Sequence, residues 1–162
     1  MNELETISMP VYLPPLIPFQ SELYKLLSDP DEVDFTVYDS SITADDIYSK
    51  YRDMDSVKFG IIADLSCAQT HAKADAIIWQ MTTRIELFSN YRGRLRIAEM
   101  IQAIGNAVTR TEQAFSSNLA EKGYAVVRLD IGEAVIGSAL YDGALTWQNG
   151  YITLHYWLSQ LD

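Results

Sequence analysis

Cysteine is almost missing from this chain. Cys67 stands alone, so a disulfide framework within the chain and a cysteine-rich zinc site are both excluded. A lone cysteine reads more simply as a small buried hydrophobe than as a nucleophile. Histidine is also scarce. His71 and His155 lie far apart, and neither has a second histidine at metal-ligand spacing. Positive charge is in deficit, with 12 Lys and Arg against 22 Asp and Glu, a formal net charge of -10 and a pI near 4.5. Phosphate-backbone binding and docking on anionic membrane both draw on Lys and Arg, so this balance argues against either. Uninterrupted apolar runs fall well short of the ~18 residues of a membrane span. The start, Met1 to Glu5, is acidic where a signal peptide is basic. Neither export by that route nor membrane insertion is expected.

Catalytic signatures are missing too. The sequence holds no Gly-x-Ser-x-Gly elbow, Walker loop, dinucleotide fingerprint or His-Glu-x-x-His. Gly132 and Gly137 follow a strand-like run and read as turn glycines rather than a phosphate cradle. Glu86 and Asp130 fall on the polar sides of two predicted strands, where a metal-dependent nuclease would place carboxylates. A two-metal site asks for more acidic ligands and a nearby lysine, and solvated strand carboxylates are the simpler reading. The acidic stretch 39–56 lacks the ligand spacing and turn glycine of a calcium loop. No catalytic residue, cofactor or metal is expected.

What is present suits one domain. The chain is 162 residues long and 48% hydrophobic, enough to bury a core. Pro10, Pro14, Pro15 and Pro18 sit among apolar residues at 1–18. They forbid a regular helix or central strand there. The segment reads as an extended arm on its own domain or on a neighbour, with a loose terminus as the alternative. Residues 19–162 read as the domain. Phe19, Leu23, Leu26 and Leu27 share one helical face, ended by Pro30. Val33–Tyr38 and Val57–Asp64 read as strands. Thr43 could cap a helical turn at Asp45 and Asp46. Residues 65–76 read as a loop.

Ile77–Ser89 alternates most clearly, with Trp79, Met81, Thr83, Ile85 and Leu87 on one side. An amphipathic helix from Arg94 to Thr109 follows, striped by Ile97, Ile101, Ile104 and Val108. Residues 110–122 are polar, anchored by Phe115 and Leu119. Tyr124–Ile131 is a strand with Ala125, Val127, Leu129 and Ile131 on one side. Residues 132–150 are turn-rich, with a strand or a bulge starting at Thr146 and Trp147, and Tyr151–Leu158 is a strand with Ile152, Leu154, Tyr156 and Leu158 on one face and aromatics on both, so its second face should also be covered. The predicted class is α+β: a single domain, mainly antiparallel sheet, with helices packed on one face. Trp79, Met81, Ile85, Leu87, Ile97, Ile101, Ile104, Val127 and Leu129 are the expected core.

The stretch from Trp79 to Gly93, with the Ile97/Ile101/Ile104 helix after it, resembles the tail-terminator and tail-completion (head–tail joining) proteins of tailed bacteriophages. A strand ending in an aromatic and a serine leads through a glycine turn into an amphipathic helix. The order of flanking elements agrees over roughly residues 19–158. The arm and the 39–56 segment are longer than such proteins usually carry, and no proline leads into the strand after the first one.

The resemblance implies a structural virion protein, assembled in the host cytoplasm. Its partners would be further copies of itself in a ring, commonly a hexamer, with the tail-tube protein on one side and a head-side connector or neck protein on the other. DNA would only pass through the lumen. A cellular protein-binding adaptor is the rival reading, and a metal-dependent hydrolase a more distant one. Loops on a rigid scaffold carry most partner contacts. The candidate interface is therefore Asp45, Asp46, Ser89, Asn90, Tyr91, Arg92, Tyr141 and Trp147, together with the proline-rich arm.

Overall fold

The computed structural model describes residues 11–39, 42–51, 56–70, 76–142 and 145–161. Ten elements follow in order: α1 (Leu16–Leu27), β1 (Thr36–Tyr38), α2 (Ala44–Tyr51), β2 (Lys58–Thr70), β3 (Ile78–Ser89), α3 (Leu95–Arg110), α4 (Glu112–Glu121), β4 (Tyr124–Ile136), β5 (Leu140–Asp142) and β6 (Leu145–Gln160). The sheet order is β1-β2-β3-β6-β4, and β5 pairs only with the start of β6. β1 runs parallel to β2 and every other pairing is antiparallel. This is the expected α+β domain.

Alternation decides the two faces. Trp79, Met81, Ile85 and Leu87 on β3 and Ile152, Leu154, Tyr156 and Leu158 on β6 all point into the main core. Above them lie α1, through Phe19, Leu23 and Leu27, and α3, through Ile97, Met100, Ile104, Ala107 and Val108. α4 adds Phe115 and Leu119. Full burial of each such side chain is worth about 1.5–3 kcal/mol, so this face fixes the register of the whole sheet. Thr83 is the polar member of the inward row. It is satisfied, because its hydroxyl donates to the Asp64 carbonyl at 2.7 Å, where a bulge at Ala63 interrupts β2.

A smaller apolar cluster sits on the opposite face, near one end. Phe59 stacks on Tyr51 (centroids 5.4 Å apart) and on Phe88 (5.1 Å), with Trp147 edge-on at 5.5 Å. Tyr51 is the last residue of α2, so α2 reaches this second face while α1, α3 and α4 cover the first.

Several sequence expectations need correction. α1 begins at Leu16, inside the stretch expected to be an extended arm, because Pro18 falls in the first turn, where a missing N–H costs no helical hydrogen bond. Residues 65–70 are strand, not loop, because β2 stays paired with β3 through Thr70↔Ile78; 71–75 lie outside the described residues. The polar stretch at 110–122 forms α4, held by the two anchors Phe115 and Leu119. The 132–150 segment is mostly strand, as β4 continues to Ile136 and β6 begins at Leu145. Val127 is not core. It is the extra residue of a bulge between Val126 and Arg128 and is 57% exposed. The bulge reverses the alternation, so Leu129 packs against the core while Ala125 does not. A second bulge lies between Ile131 and Ala134, and Ile131 is 46% exposed. Ile101 and Leu129 are partly buried at the core's margin.

Candidate partner interface

The candidate residues divide between the two ends of the sheet. At one end, Ser89 pairs with Lys58 and with Gln148, which brings the turn after β3, the start of β2 and the start of β6 together. Asn90 ties them: its backbone N–H donates to the Val57 carbonyl at 3.1 Å, and its Oδ1 accepts the Val57 N–H at 2.7 Å. Ser89 is 1% exposed, and its hydroxyl oxygen accepts the Tyr91 N–H at 3.1 Å. Its role here is to shape the turn. The outward groups are Tyr91, Arg92 and Leu95. The Arg96 guanidinium lies 5.1 Å from the centre of the Tyr91 ring, so the ring is propped by a cation. Gly93 has φ 107°, the left-handed conformation that lets the chain reverse into α3.

Trp147 lies at this end but inside it, 4% exposed within the Tyr51–Phe59 cluster. Asp46 caps α2. Thr43 Oγ1 accepts the Asp46 N–H at 3.2 Å, while an Asp46 carboxylate oxygen accepts the Thr43 N–H at 3.3 Å. That reciprocal pair is the capping expected of Thr43, with Asp in place of Glu. The side chains of Asp45 and Tyr141 lie outside the described residues.

The arm lies at the other end. Gln160 Nε2 donates to the Val11 carbonyl at 2.6 Å, and Gln160 Oε1 accepts the Leu13 N–H at 3.0 Å. Tyr124 donates its hydroxyl to the Leu13 carbonyl at 2.6 Å. The described part of the arm thus packs on its own domain. It leaves Val11, Tyr12 and Leu13 exposed, beside Leu16 and Ile17 of the first turn of α1, Ile17 at 83%, with Tyr24 and Leu161 exposed as well. Residues 1–10 lie outside the described residues. Sequence reasoning missed Gln160 and Tyr124 as the anchor, although apolar residues scattered through the arm signalled a docked segment.

Between the two ends, the face away from α1, α3 and α4 is polar and largely open. Arg84 bridges Asp64 (2.8 Å) and Glu86 (3.2 Å) and lies 5.2 Å from the centre of the Tyr151 ring. Arg128 pairs with Asp130 at 2.6 Å and lies 5.0 Å from the centre of the Trp157 ring. The carboxylate of Asp130 raises the Arg128 pKa further. Aromatics on this face are therefore shielded by the protein's own arginines. Glu86 and Asp130 are on this face too, each ion-paired, with β6 between their strands. His155 shares a contact of 3.1 Å with the Thr82 hydroxyl. Among the described residues, no three His, Cys, Asp or Glu side chains group to hold a metal, and no helix is long and apolar enough to cross a membrane.

Compared with known proteins, the chain matches no family model and no curated sequence.

Proposed function

We propose that this protein is a ring-forming structural subunit of a tailed-phage virion, a tail terminator or neck protein that joins the tail tube to the head connector. One observation carries the reading. Outward apolar and aromatic groups gather at both ends of the sheet, with Tyr91 and Leu95 past the β3 turn, and Val11 and Leu13 on the arm beside Ile17 in the first turn of α1. β3 spans the distance between the ends, about 40 Å at roughly 3.3 Å per residue. A subunit that joins two bodies needs two such separated surfaces, whereas an adaptor with one partner needs one.

Charge supports the same reading. A passage for DNA must not hold phosphate, and a chain of net charge -10 whose open-face Arg84 and Arg128 are engaged by carboxylates offers it little attraction. The exposed side chains of Val127 and Ile131 give the β4 side apolar surface for a neighbouring copy to pack on without strand pairing. Function here is shape and assembly, with no chemical step. Partners would be further copies, the tail-tube protein and a head-side connector, and the site of action would be the virion.

Native mass spectrometry of the purified chain, alone and with tail-tube protein, tests this. A closed ring, hexameric by expectation, supports it. A chain that stays monomeric even with tail-tube protein overturns it and favours the adaptor reading.

A further inference from the structure

The two edges of the sheet are unlike each other. β4 closes one side and is blunted, since two bulges break its line and Arg128, Asp130 and Glu133 interrupt its apolar residues. These devices keep an edge from pairing with another chain. The opposite edge is protected over only part of its length. β1 covers Phe59–Ile61 of β2. Past the bulge at Ala63, the outer side of Asp64–Thr70 has no strand partner among the described residues. This stretch keeps unbroken register with β3. It contains no proline, lysine or arginine, and its one charge, Asp64, is held by Arg84.

We infer that the Asp64–Thr70 edge of β2 joins two copies of this chain, strand to strand, about a two-fold axis at Cys67. An open regular edge presents a row of backbone N–H and C=O groups, and the ligand that satisfies such a row is another extended strand. Two identical edges meet antiparallel through a two-fold axis. The register of greatest overlap between the bulge and Thr70 centres on Cys67.

In that register Asp64 faces Thr70, Leu65 faces Gln69 and Ser66 faces Ala68, so no like charges oppose each other and small residues meet across the joint. Leu65 and Cys67 already pack at the rim of the main core, so the joint would extend that core from one copy to the next. The inference does not rest on the ring reading. Ring closure uses head-to-tail contacts, and this joint uses a different surface.

The chain carries its own probe, because Cys67 is its only cysteine. Directly opposed residues on paired antiparallel strands stand about 4.5–5.5 Å apart at Cβ, close to disulfide range. Mild oxidation with copper–phenanthroline should give a dimer that thiol reductant returns to monomer. Cys67→Ser should abolish the crosslink and leave the dimer intact by native mass spectrometry. The double substitution Ser66→Lys and Ala68→Lys puts lysines opposite each other at exposed positions. It should dissolve the joint while the circular dichroism melt stays unchanged.

Three results would overturn the inference: a monomer without crosslink at high concentration, a dimer indifferent to the lysines, or a ring that does not crosslink. The last would leave the ring reading standing. A crosslinked dimer that never assembles further would do the reverse.

Discussion

Trp79 donates its indole N–H to Oε1 of Gln160 at 3.1 Å, and the same oxygen accepts the Leu13 N–H. One side chain near the end of the last strand therefore satisfies a largely buried indole and anchors the arm. Replacing Gln160 with Leu removes both acceptor contacts and leaves the indole N–H unpaired, a loss of about 1–3 kcal/mol. Chemical denaturation should show that loss. Chymotrypsin should cut after Tyr12 faster than in the parent, the bond after Leu13 being closed to it by Pro14. Gln160→Glu keeps the acceptor for Trp79 and Leu13 but turns a carboxylate oxygen on the Val11 carbonyl in place of the donor, so it should spare the indole and still loosen the arm. Unchanged cleavage in Gln160→Leu would mean the arm is held elsewhere.

Tyr156 gives the opposite result. Its ring is fully buried against Phe19 (5.1 Å) and Phe115 (5.0 Å), yet its hydroxyl has no hydrogen-bond partner among the described residues. Burial pushes its pKa well above the ordinary phenol value. An unpaired buried hydroxyl costs about 1–3 kcal/mol, so its removal is neutral or stabilising. Tyr156→Phe should match or exceed the parent's stability by up to about 1 kcal/mol in denaturant melts. A clear loss would reveal a partner for the hydroxyl, such as an ordered water.

These two positions show what the sequence could convey. Both lie on strands whose alternation placed them correctly, Trp79 among the expected core and Tyr156 on the row with Ile152, Leu154 and Leu158. The long-range pairing of Gln160 with Leu13 had no local signal, because a polar residue at the end of a strand resembles any other. Periodicity failed at Val127 for a related reason. A bulge adds one residue without changing composition, and every later side chain then changes face. Among the candidate interface residues, Tyr91 and Arg92 are exposed. Ser89, at the end of the Ile77–Ser89 strand, and Trp147, in the turn-rich 132–150 segment, read as partner contacts because turns lie beside them. In the fold Ser89 shapes the turn after β3, while Trp147 fills an apolar cluster that Tyr51 of α2, Phe59 of β2 and Phe88 of β3, all distant in sequence, complete.

Glycine tolerance on β6 and β4 should differ sharply. A Cβ at Gly150 would stand 2.5 Å from the Val135 carbonyl oxygen and 2.6 Å from Ile97 Cγ2, so β4 and α3 would both have to move. A Cβ at Gly132 would meet mainly the His155 ring, at 2.7 Å, and that ring can turn aside. Overpacking of this kind costs typically 1–3 kcal/mol. Gly150→Ala should lie at the upper end, near ~3 kcal/mol, and Gly132→Ala near ~1 kcal/mol. Urea midpoints at equal slope would measure both, and equal costs would contradict the close approach of β4 and α3 over Gly150.

Glu22 makes stability depend on acid. It lies on the inward side of α1 with a side chain 5% exposed, and it accepts Lys122 from the end of α4 at 2.8 Å and Lys25 at 3.4 Å. The hydrogen bond from Lys122 lowers its pKa below the ordinary 4.5, against an opposing push from burial. A carboxylate with a depressed folded-state pKa adds stability that is complete above the unfolded value and is lost as pH falls through the folded one. This contribution should therefore be full at neutral pH and decline below about 4.5.

Glu22→Gln should cost about 1.5–3 kcal/mol at pH 7, the scale of a hydrogen bond to a charged group. The lower part of that range is expected, because the Lys122 side chain is 37% exposed and can turn to water. The deficit should shrink as pH drops, until parent and variant melt together in acid. Thermal melts from pH 7 to pH 3 would follow the convergence. A gap that stays constant with pH would assign the loss to packing between α1 and α4 and not to charge.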